Sequence, residues 1–451
     1  MTRGTVNFDS IVALASGGGT SAVALIRVSG PQAVEIADRA SAGAAGRAIE
    51  RRATRAKILD AAGRTLDDVL MTVFHGTRSF TGEPVVEIAC HGGRLVTRRV
   101  IERLLECGAR SAGPGEFSER AFLHGKLDLT QAEAVMDLIS AQSDLALRAA
   151  HEQLEGGIGR LTGALREDLI GLIAHLEAWI DFPEEDIDPD TGELFGAGIS
   201  RVRVGIDRLL ATAEQGRILR EGVRTVICGR PNAGKSSLLN LLLGSERAIV
   251  SDEAGTTRDT IEEVLLLDGV PLRLIDTAGL RVEAGVVERE GIRRTLQEAI
   301  RADLLLVVRD ASLPLSDSTV ELPDSRGRVL TVLNKCDLGE HPEWKDQPGV
   351  RLCCLGGEGV EPLRREIRAA LDLGEADWGE HAVAINTRHR DCLKRADDAL
   401  REALNLLSQG AAPELAALEM RSALESLGEI CGKVDTEEIL GAIFSRFCIG
   451  K

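Results

Sequence analysis

The sequence predicts a multidomain chain: an α+β N-terminal domain, an all-α helical domain, and an α/β domain inserted into the helical one. Three observations carry this. A chain of 451 residues is long enough for two to four domains with real cores. Residues 9 to 120 carry short apolar runs broken by Gly and turn residues, whereas Leu127 to Ala213 and the stretch after Leu393 repeat apolar residues at helical spacing. Between the two helical blocks, apolar strand runs alternate with helix patterns, as in a self-contained α/β domain. The expected boundaries are 1–125, 126–215, 216–375 and 376–451, the second and fourth segments forming one helical domain.

In the first segment, strands are expected at Ile11 to Ala15, Ala22 to Val28, Val69 to Phe74 and Val85 to Ala89, and helices at Gln32 to Ala40 and Leu95 to Cys107. Three polar islands interrupt it: Ile26 to Gly30, Phe80 to Glu87 with Cys90 to Gly93, and Pro114 to Arg120. On physics alone each is a charged turn with a structural role. In the helical blocks, Leu161, Leu165, Leu169, Leu172, Leu176 and Ile180 form an expected buried stripe, ended by a break at Pro183 to Pro189. Leu393, Ala396, Leu400, Leu404 and Leu407 form another, followed by helices over Leu415 to Ile430 and Glu437 to Phe444. A hinge is expected near Leu219 to Gly222.

The inserted domain carries the chemistry. Gly229-Arg230-Pro231-Asn232-Ala233-Gly234-Lys235-Ser236 follows the apolar run Val223 to Cys228 and precedes Ser237 to Leu242, which reads as strand, glycine turn and helix. Bare N–H groups from Asn232 to Ser237 wrap a phosphate, and the helix directs its positive end at the same anion. Lys235 reaches the outer phosphates as a point charge, and the Ser236 hydroxyl is a Mg²⁺ ligand in this arrangement.

Downstream, Asn334-Lys335-Cys336-Asp337 follows the apolar strand Val329 to Leu333. A carboxylate at Asp337 accepts from the ring N–H and exocyclic amine of guanine, whereas adenine presents no matching donors. Leaving that carboxylate buried and unpaired would cost about 3 to 6 kcal/mol, on the order of a hundredfold to ten-thousandfold in affinity. GTP is therefore the expected nucleotide. Asp276-Thr277-Ala278-Gly279 lies between these boxes, the Asp holding the metal's water shell and Gly279 sensing the third phosphate. Ser251 to Asp259 stands where a switch loop belongs, and a Thr there binds Mg²⁺ when the third phosphate is present. Leu280 occupies the place of the water-orienting glutamine of fast GTPases, so Glu283, Glu288 and Glu290 are the candidates to hold the water. No arginine is marked as an in-built finger; Arg230 and Arg258 are the nearest.

Composition bounds the rest. Hydrophobic residues make up 44% of the chain with no run of eighteen to span a membrane, which predicts a soluble protein. Met1 to Ser10 lacks a secretory h-region, and the expectation is an uncleaved, cytoplasmic chain. Nine cysteines with no C-x-x-C spacing argue against a disulfide framework and a zinc site. A net charge of −17 argues against bulk electrostatic attraction to nucleic acid, so an RNA substrate would need a local patch or a basic partner.

The three nucleotide boxes resemble those of translation-factor-related GTPases. Together with Ala254 to Asp259, Val287 to Ile292, Pro114 to Leu123, Lys126 to Leu129 and the terminal Phe447-Cys448-Ile449-Gly450-Lys451, they closely resemble the MnmE (TrmE) family of tRNA modification GTPases over essentially the whole chain. The resemblance implies a homodimer, formed by a folate-binding-like N-terminal domain, that works with an MnmG-type flavin-binding partner as a heterotetramer. FAD enters only through that partner. The reaction places an aminomethyl or carboxymethylaminomethyl group on C5 of the wobble uridine of certain tRNAs, from a 5-formyl- or 5,10-methylene-tetrahydrofolate donor.

Also by resemblance, Arg27, Glu87, Lys126 and Lys451 contact folate. Asn232, Ser251, Glu253 and Thr256 hold a K⁺ ion that replaces an arginine finger, a group worth roughly 10³ to 10⁵ in rate. Thr257 joins Ser236 on Mg²⁺, the GTP contacts include Thr256, Thr257 and Thr277 to Gly279, and Glu288 positions water. Cys448 belongs to the modification site; without the resemblance, a buried inert thiol is the plainer reading. Its Cys-Ile-Gly-Lys context does not fit a prenylation box. Two stretches depart from the family pattern: Ser16-Gly17-Gly18-Gly19-Thr20-Ser21 lacks the usual Pro and Arg, and Cys353-Cys354 replaces Ser-Ala in the guanine-capping loop. Rival readings are a ribosome-assembly GTPase, which predicts a basic RNA-binding module, and a GTP switch that only scaffolds a partner.

Overall fold

Alternation with a period of two builds the first sheet: Ala24, Ile26 and Val28 are buried on one face, and Arg27 points to the other. The structure is a computed structural model and describes residues 9–181, 191–245, 263–275, 298–318, 327–371, 385–432, 437–445 and 447–450. Two units make up the chain: Met1–Met136 with Leu154–Arg203 and Cys392–Lys451, and Asp137–Gln153 with Val204–Asp391. The second unit thus interrupts the first in sequence. Among the described residues no helix is long and apolar enough to cross a membrane.

The first unit holds strands β1 (Ile11–Leu14), β2 (Val23–Ser29), β3 (Thr54–Leu59), β4 (Thr65–Phe74), β5 (Val85–His91) and β6 (Arg110–Ser111). They are ordered β3-β4-β5-β2-β1-β6, antiparallel except for the β1–β6 pair. Helices Ala33–Ala40 and Arg94–Glu106 cover one face through Ile36, Val100 and Leu104. Strand β3 was not among the expected strands.

The island Pro114 to Arg120 is no simple turn. It opens helix Glu116–Leu123, whose Arg120 is 1% exposed. Arg120 donates to Glu83 at 3.1 Å and Glu116 at 2.8 Å, Arg110 also donates to Glu116 at 2.7 Å, and Ser29 donates to Glu83 at 3.0 Å. These bonds tie the strands to that helix.

The helical part of this unit pairs Gly157–Asp181 with Pro413–Ile430, and Arg421 donates to Glu177 at 3.0 and 2.6 Å. The buried stripe of the former is Ile158, Thr162, Leu169, Ile173 and Leu176, so the expected stripe was partly misphased. Leu161 is exposed, and Leu165, Leu172 and Ile180 are half-buried. The expected break at Pro183 to Pro189 lies outside the described residues.

The chain's end returns to the N-terminal sheet. Ile449 bridges Pro114, Gly115 N–H donates to the Cys448 carbonyl at 3.3 Å, and Phe444 and Phe447 pack with Leu129 and Ala132. A Cβ on Gly450 would lie 2.0 Å from the Leu14 carbonyl oxygen, so only glycine permits this approach.

The second unit holds β7 (Val223–Gly229), β8 (Glu263–Leu267), β9 (Val270–Ile275), β10 (Leu304–Asp310), β11 (Arg328–Asn334) and β12 (Val350–Leu352) in the order β12-β11-β10-β7-β9-β8. All neighbours are parallel except β8 and β9. Both faces are apolar: Leu304, Leu306 and Val308 enter one core, Leu305 and Val307 the other, as a helix-covered parallel sheet requires. At the expected hinge, helix Ala213–Glu221 ends at Gly222. Asp303 accepts from Arg217 at 3.0 and 3.2 Å and from the Arg224 N–H at 2.9 Å, which fastens that helix to the sheet.

Arg120→Ala strands the buried Glu83 carboxylate, and a broken buried pair costs about 3 to 5 kcal/mol. Chemical denaturation followed by circular dichroism will show a destabilisation of this size in the first unit's transition; a loss below about 1 kcal/mol would contradict the network's role.

Candidate functional site

Strand β7 sits where the order of the parallel sheet reverses, with β10 on one side and β9 on the other. The crevice outside the carboxyl ends of strands at such a point is where open α/β sheets bind ligands. The chain leaves β7 at Gly229, turns through Arg230 to Gly234, and enters helix Lys235–Ser245. Two features fix the turn: Asn232 is left-handed at φ 61°, and Gly234 has φ 101°. A Cβ on Gly234 would lie 2.0 Å from Asn334 Nδ2.

Asn334 is 2% exposed and ends β11. Its Nδ2 donates to the Ala233 carbonyl at 2.8 Å, and its Oδ1 accepts from the Cys354 N–H at 3.2 Å. One amide therefore joins the loops after β7, β11 and β12. The Lys235 ammonium donates to the Gly229 and Arg230 carbonyls at 3.0 and 2.9 Å, holding its charge over the turn. Ser236 and Ser237 follow in the helix's first turn. The N–H groups of that turn and the helix dipole make it an anion site, with Lys235 adding a full positive charge.

Lys335 is also left-handed, at φ 64°, and its ammonium pairs with Asp310 at 2.6 Å. Burial works to raise the Asp310 carboxyl pKa, but bonds from Lys335 and Ser312 outweigh it and hold it below the ordinary carboxylate value. Asp337 lies in the short turn Cys336–Leu338 and is exposed, not buried as expected, because the chain has already left the strand there. Beside the glycine loop, Arg230, Asn232, Ala233, Asp310, Leu313 and Asp317 border a cavity of about 340 Å³.

In the Cys353-Cys354 loop, Cys353 Sγ accepts from the Gly356 N–H at 3.3 Å. Burial pushes the Cys354 thiol up to about 12 and raises that of Cys336, so these sulfurs are neutral packing groups. Of the remaining expected nucleotide and metal positions, Ser251, Glu253, Thr256, Thr257, Asp276, Thr277, Ala278, Gly279, Leu280 and Glu288 lie outside the described residues.

In the first unit, Arg27 on β2 stands opposite Glu87 on β5 and donates two hydrogen bonds to its Oε1, at 3.1 and 2.8 Å. The Arg27 guanidinium lies 5.0 Å from the Phe80 ring centre and 5.7 Å from that of Phe117. Sequence reasoning missed both aromatics, although each stands in a polar island. Lys126 donates to the Thr77 carbonyl at 2.9 Å. Cys448 is exposed, which sets aside the buried-thiol reading. Lys451 lies outside the described residues.

A glycine loop at a helix N-terminus, joined by a buried amide to an Asn-Lys-x-Asp turn, defines a P-loop protein of the guanine-nucleotide class. A profile of the MnmE helical domain matches residues 129–448, and one of the GTP-binding protein TrmE N-terminus matches residues 10–126. Curated relatives named tRNA modification GTPase MnmE include that of Akkermansia muciniphila, 51% identical over 98% of this chain and 99% of its own length. That of Syntrophotalea carbinolica is 44% identical over 99% and 100%, and that of Geobacter sulfurreducens 43% identical over 98% and 99%. Among solved structures, the G domain of the T. maritima FeoB iron transporter is 26% identical over 33% of this chain and 98% of that one, at a TM-score of 0.23. The chain belongs to the MnmE family and is a GTPase.

Gly234→Ala forces a left-handed alanine and displaces Asn334 from Ala233, together about 2 to 3 kcal/mol. Titration with a fluorescent guanine nucleotide will show affinity reduced roughly 30- to 100-fold; affinity within threefold of the parent would mean that the turn is not the phosphate cradle.

Proposed function

We propose that this chain is a GTP-hydrolysing tRNA modification enzyme that, with an MnmG-type flavin-binding partner, builds the (carboxymethyl)aminomethyl group on C5 of the wobble uridine of certain tRNAs. The observation that carries the reading is the joining, in one unit, of the Cys448 tail to the sheet that bears Arg27 and Glu87. A GTP switch that only scaffolds a partner has no need for a cysteine-bearing tail fixed to such a sheet.

The proposed domains are a folate-binding-like dimerisation domain at 1–125, a helical domain from 126–215 and 376–451, and a GTPase domain at 216–375. In the last, Asn232 to Ser237 bind the phosphates with Thr256, Thr257 and Asp276 to Gly279, while Asn334, Lys335 and Asp337 read guanine. The exposed Asp337 carboxylate suits that task, since an accessible acceptor pair meets the two donors on the purine edge. Ser236, at the start of helix Lys235–Ser245, and Thr257 would hold Mg²⁺. Asn232, whose left-handed backbone projects from the glycine turn, would hold K⁺ with Ser251, Glu253 and Thr256. The cation supplies positive charge where negative charge develops on the transferred phosphoryl group. Glu288 would position the attacking water.

The first unit's donor set suits a tetrahydrofolate. Glu87, whose Oε1 takes Arg27, would accept from a pterin's donor edge, Phe80 and Phe117 offer flat apolar surface, and Arg27, Lys126 and Lys451 would attract carboxylates. Bound there, a folate would supply the one-carbon unit. The reading includes a homodimer in the cytoplasm, joined to its partner as a heterotetramer in which only the partner brings FAD.

Two measurements test this. GTP hydrolysis will be markedly faster in K⁺ than in Na⁺, and equal rates would remove the cation from the mechanism. Nucleoside analysis of tRNA from cells carrying only Cys448→Ser will show wobble-uridine modification lost with GTP hydrolysis retained; unchanged modification would reduce the reading to a GTPase of another task.

A further inference from the structure

The Asp310 carboxylate has two oxygens with separate tasks. Oδ1 accepts from the Ser312 N–H at 3.0 Å and from the Ser312 hydroxyl at 2.6 Å, which closes a turn just after β10 and fixes the side chain's direction. Oδ2 is thereby aimed at Lys335, whose ammonium it meets at 2.6 Å. Asp310 and Asn334 are register partners on adjacent parallel strands, and the Ala311 N–H donates to the Asn334 carbonyl at 2.9 Å, so donor and acceptor are mounted on one rigid frame. Asp310 is 7% exposed and its pair with Lys335 is partly buried, so water screens it less than a surface pair.

Lysine is a poor structural element when its ammonium is unfastened, because its four rotatable bonds leave it rich in rotamers. Here both ends are fastened. The backbone is left-handed, and the ammonium is anchored one strand away. The stem must span the interval between the ends of β11 and β10, beside the Ala233 end of the glycine loop and two residues from the exposed Asp337. A stem held taut there, two residues from Asp337, would offer apolar surface to a planar base read by that carboxylate.

We propose that Asp310 is a positioning residue for guanine-nucleotide affinity: it holds Lys335 extended before the nucleotide arrives, so that binding does not have to order it. The proposal rests on the guanine-nucleotide reading of this site. Ordering one long side chain on binding weakens affinity about 2- to 10-fold. The weakening falls on GDP and GTP alike, since Lys335 belongs to the Asn-Lys-x-Asp turn and not to the glycine loop.

The test uses the full chain with fluorescent GDP and a non-hydrolysable GTP analogue in stopped flow. Asp310→Asn keeps the side chain's shape and an acceptor for Ser312 but removes the charge that holds Lys335. Expected is a 2- to 10-fold weaker Kd for both nucleotides, carried by faster release, with KM for GTP raised and kcat retained within twofold. In a Lys335→Met background, which keeps a stem and removes the ammonium, the same substitution should change Kd by less than twofold. A general structural role would instead weaken binding equally in both backgrounds, and that result overturns the proposal, as does an unchanged Kd for Asp310→Asn. The parent chain separates this from failure of the underlying reading. If the parent prefers guanine over adenine nucleotides and Asp310→Asn matches it, only the positioning role falls; if the parent does not discriminate between them, the base-reading assignment falls first.

Discussion

The nucleotide site depends on the Asn334 amide. It is buried at the end of β11, gives one N–H to Ala233 in the glycine loop, and takes one from Cys354 in the loop after β12. A buried amide satisfied on both sides stabilises only one relative placement of the segments it joins, because any shift leaves a polar atom without water or partner. The absence of a Cβ on Gly234 follows from it: the amide nitrogen lies where that atom would be. The glycine turn and the Asn-Lys-x-Asp turn are consequently parts of one cradle.

The first unit is organised by a different kind of constraint. Its sheet buries apolar residues under two helices on one face and keeps charge on the other, with Arg27 and Glu87 paired across adjacent strands and flanked by Phe80 and Phe117. The buried Arg120 locks helix Glu116–Leu123 beside that face. The C-terminal tail then crosses Pro114 and passes Leu14 where only a glycine fits. A tail placed by backbone bonds and by a glycine keeps the exposed Cys448 in a defined position relative to the sheet without requiring that the thiol itself pack.

What was legible in the sequence was whatever local periodicity and turn chemistry determine. Strands β7 and β11, the glycine turn and the Asn-Lys-x-Asp turn fell where apolar runs and glycines placed them, because a strand inside a helix-covered parallel sheet is a nearly continuous apolar run. Strand β3 escaped because Thr54 to Leu59 buries only Ala56 and Ile58 fully, too weak a pattern to separate from a loop. The stripe on Gly157–Asp181 was misphased for a related reason. Leucines lie on two adjoining faces of that helix, and its partner Pro413–Ile430, more than two hundred residues later, decides which is buried. The pairs Arg120 with Glu83 and Asp310 with Lys335 were equally beyond reach, since each is made by tertiary register between residues that look like ordinary surface charge.

The central claim, that one buried amide makes the glycine turn and the Asn-Lys-x-Asp turn a single cradle, is tested most directly by measuring the affinity of Asn334→Ala for GDP by isothermal titration, alongside its thermal transition. Loss of two hydrogen bonds, with a glycine loop released from its register, predicts affinity reduced roughly 30-fold or more in a domain that still unfolds cooperatively. Affinity equal to that of the parent would contradict the account.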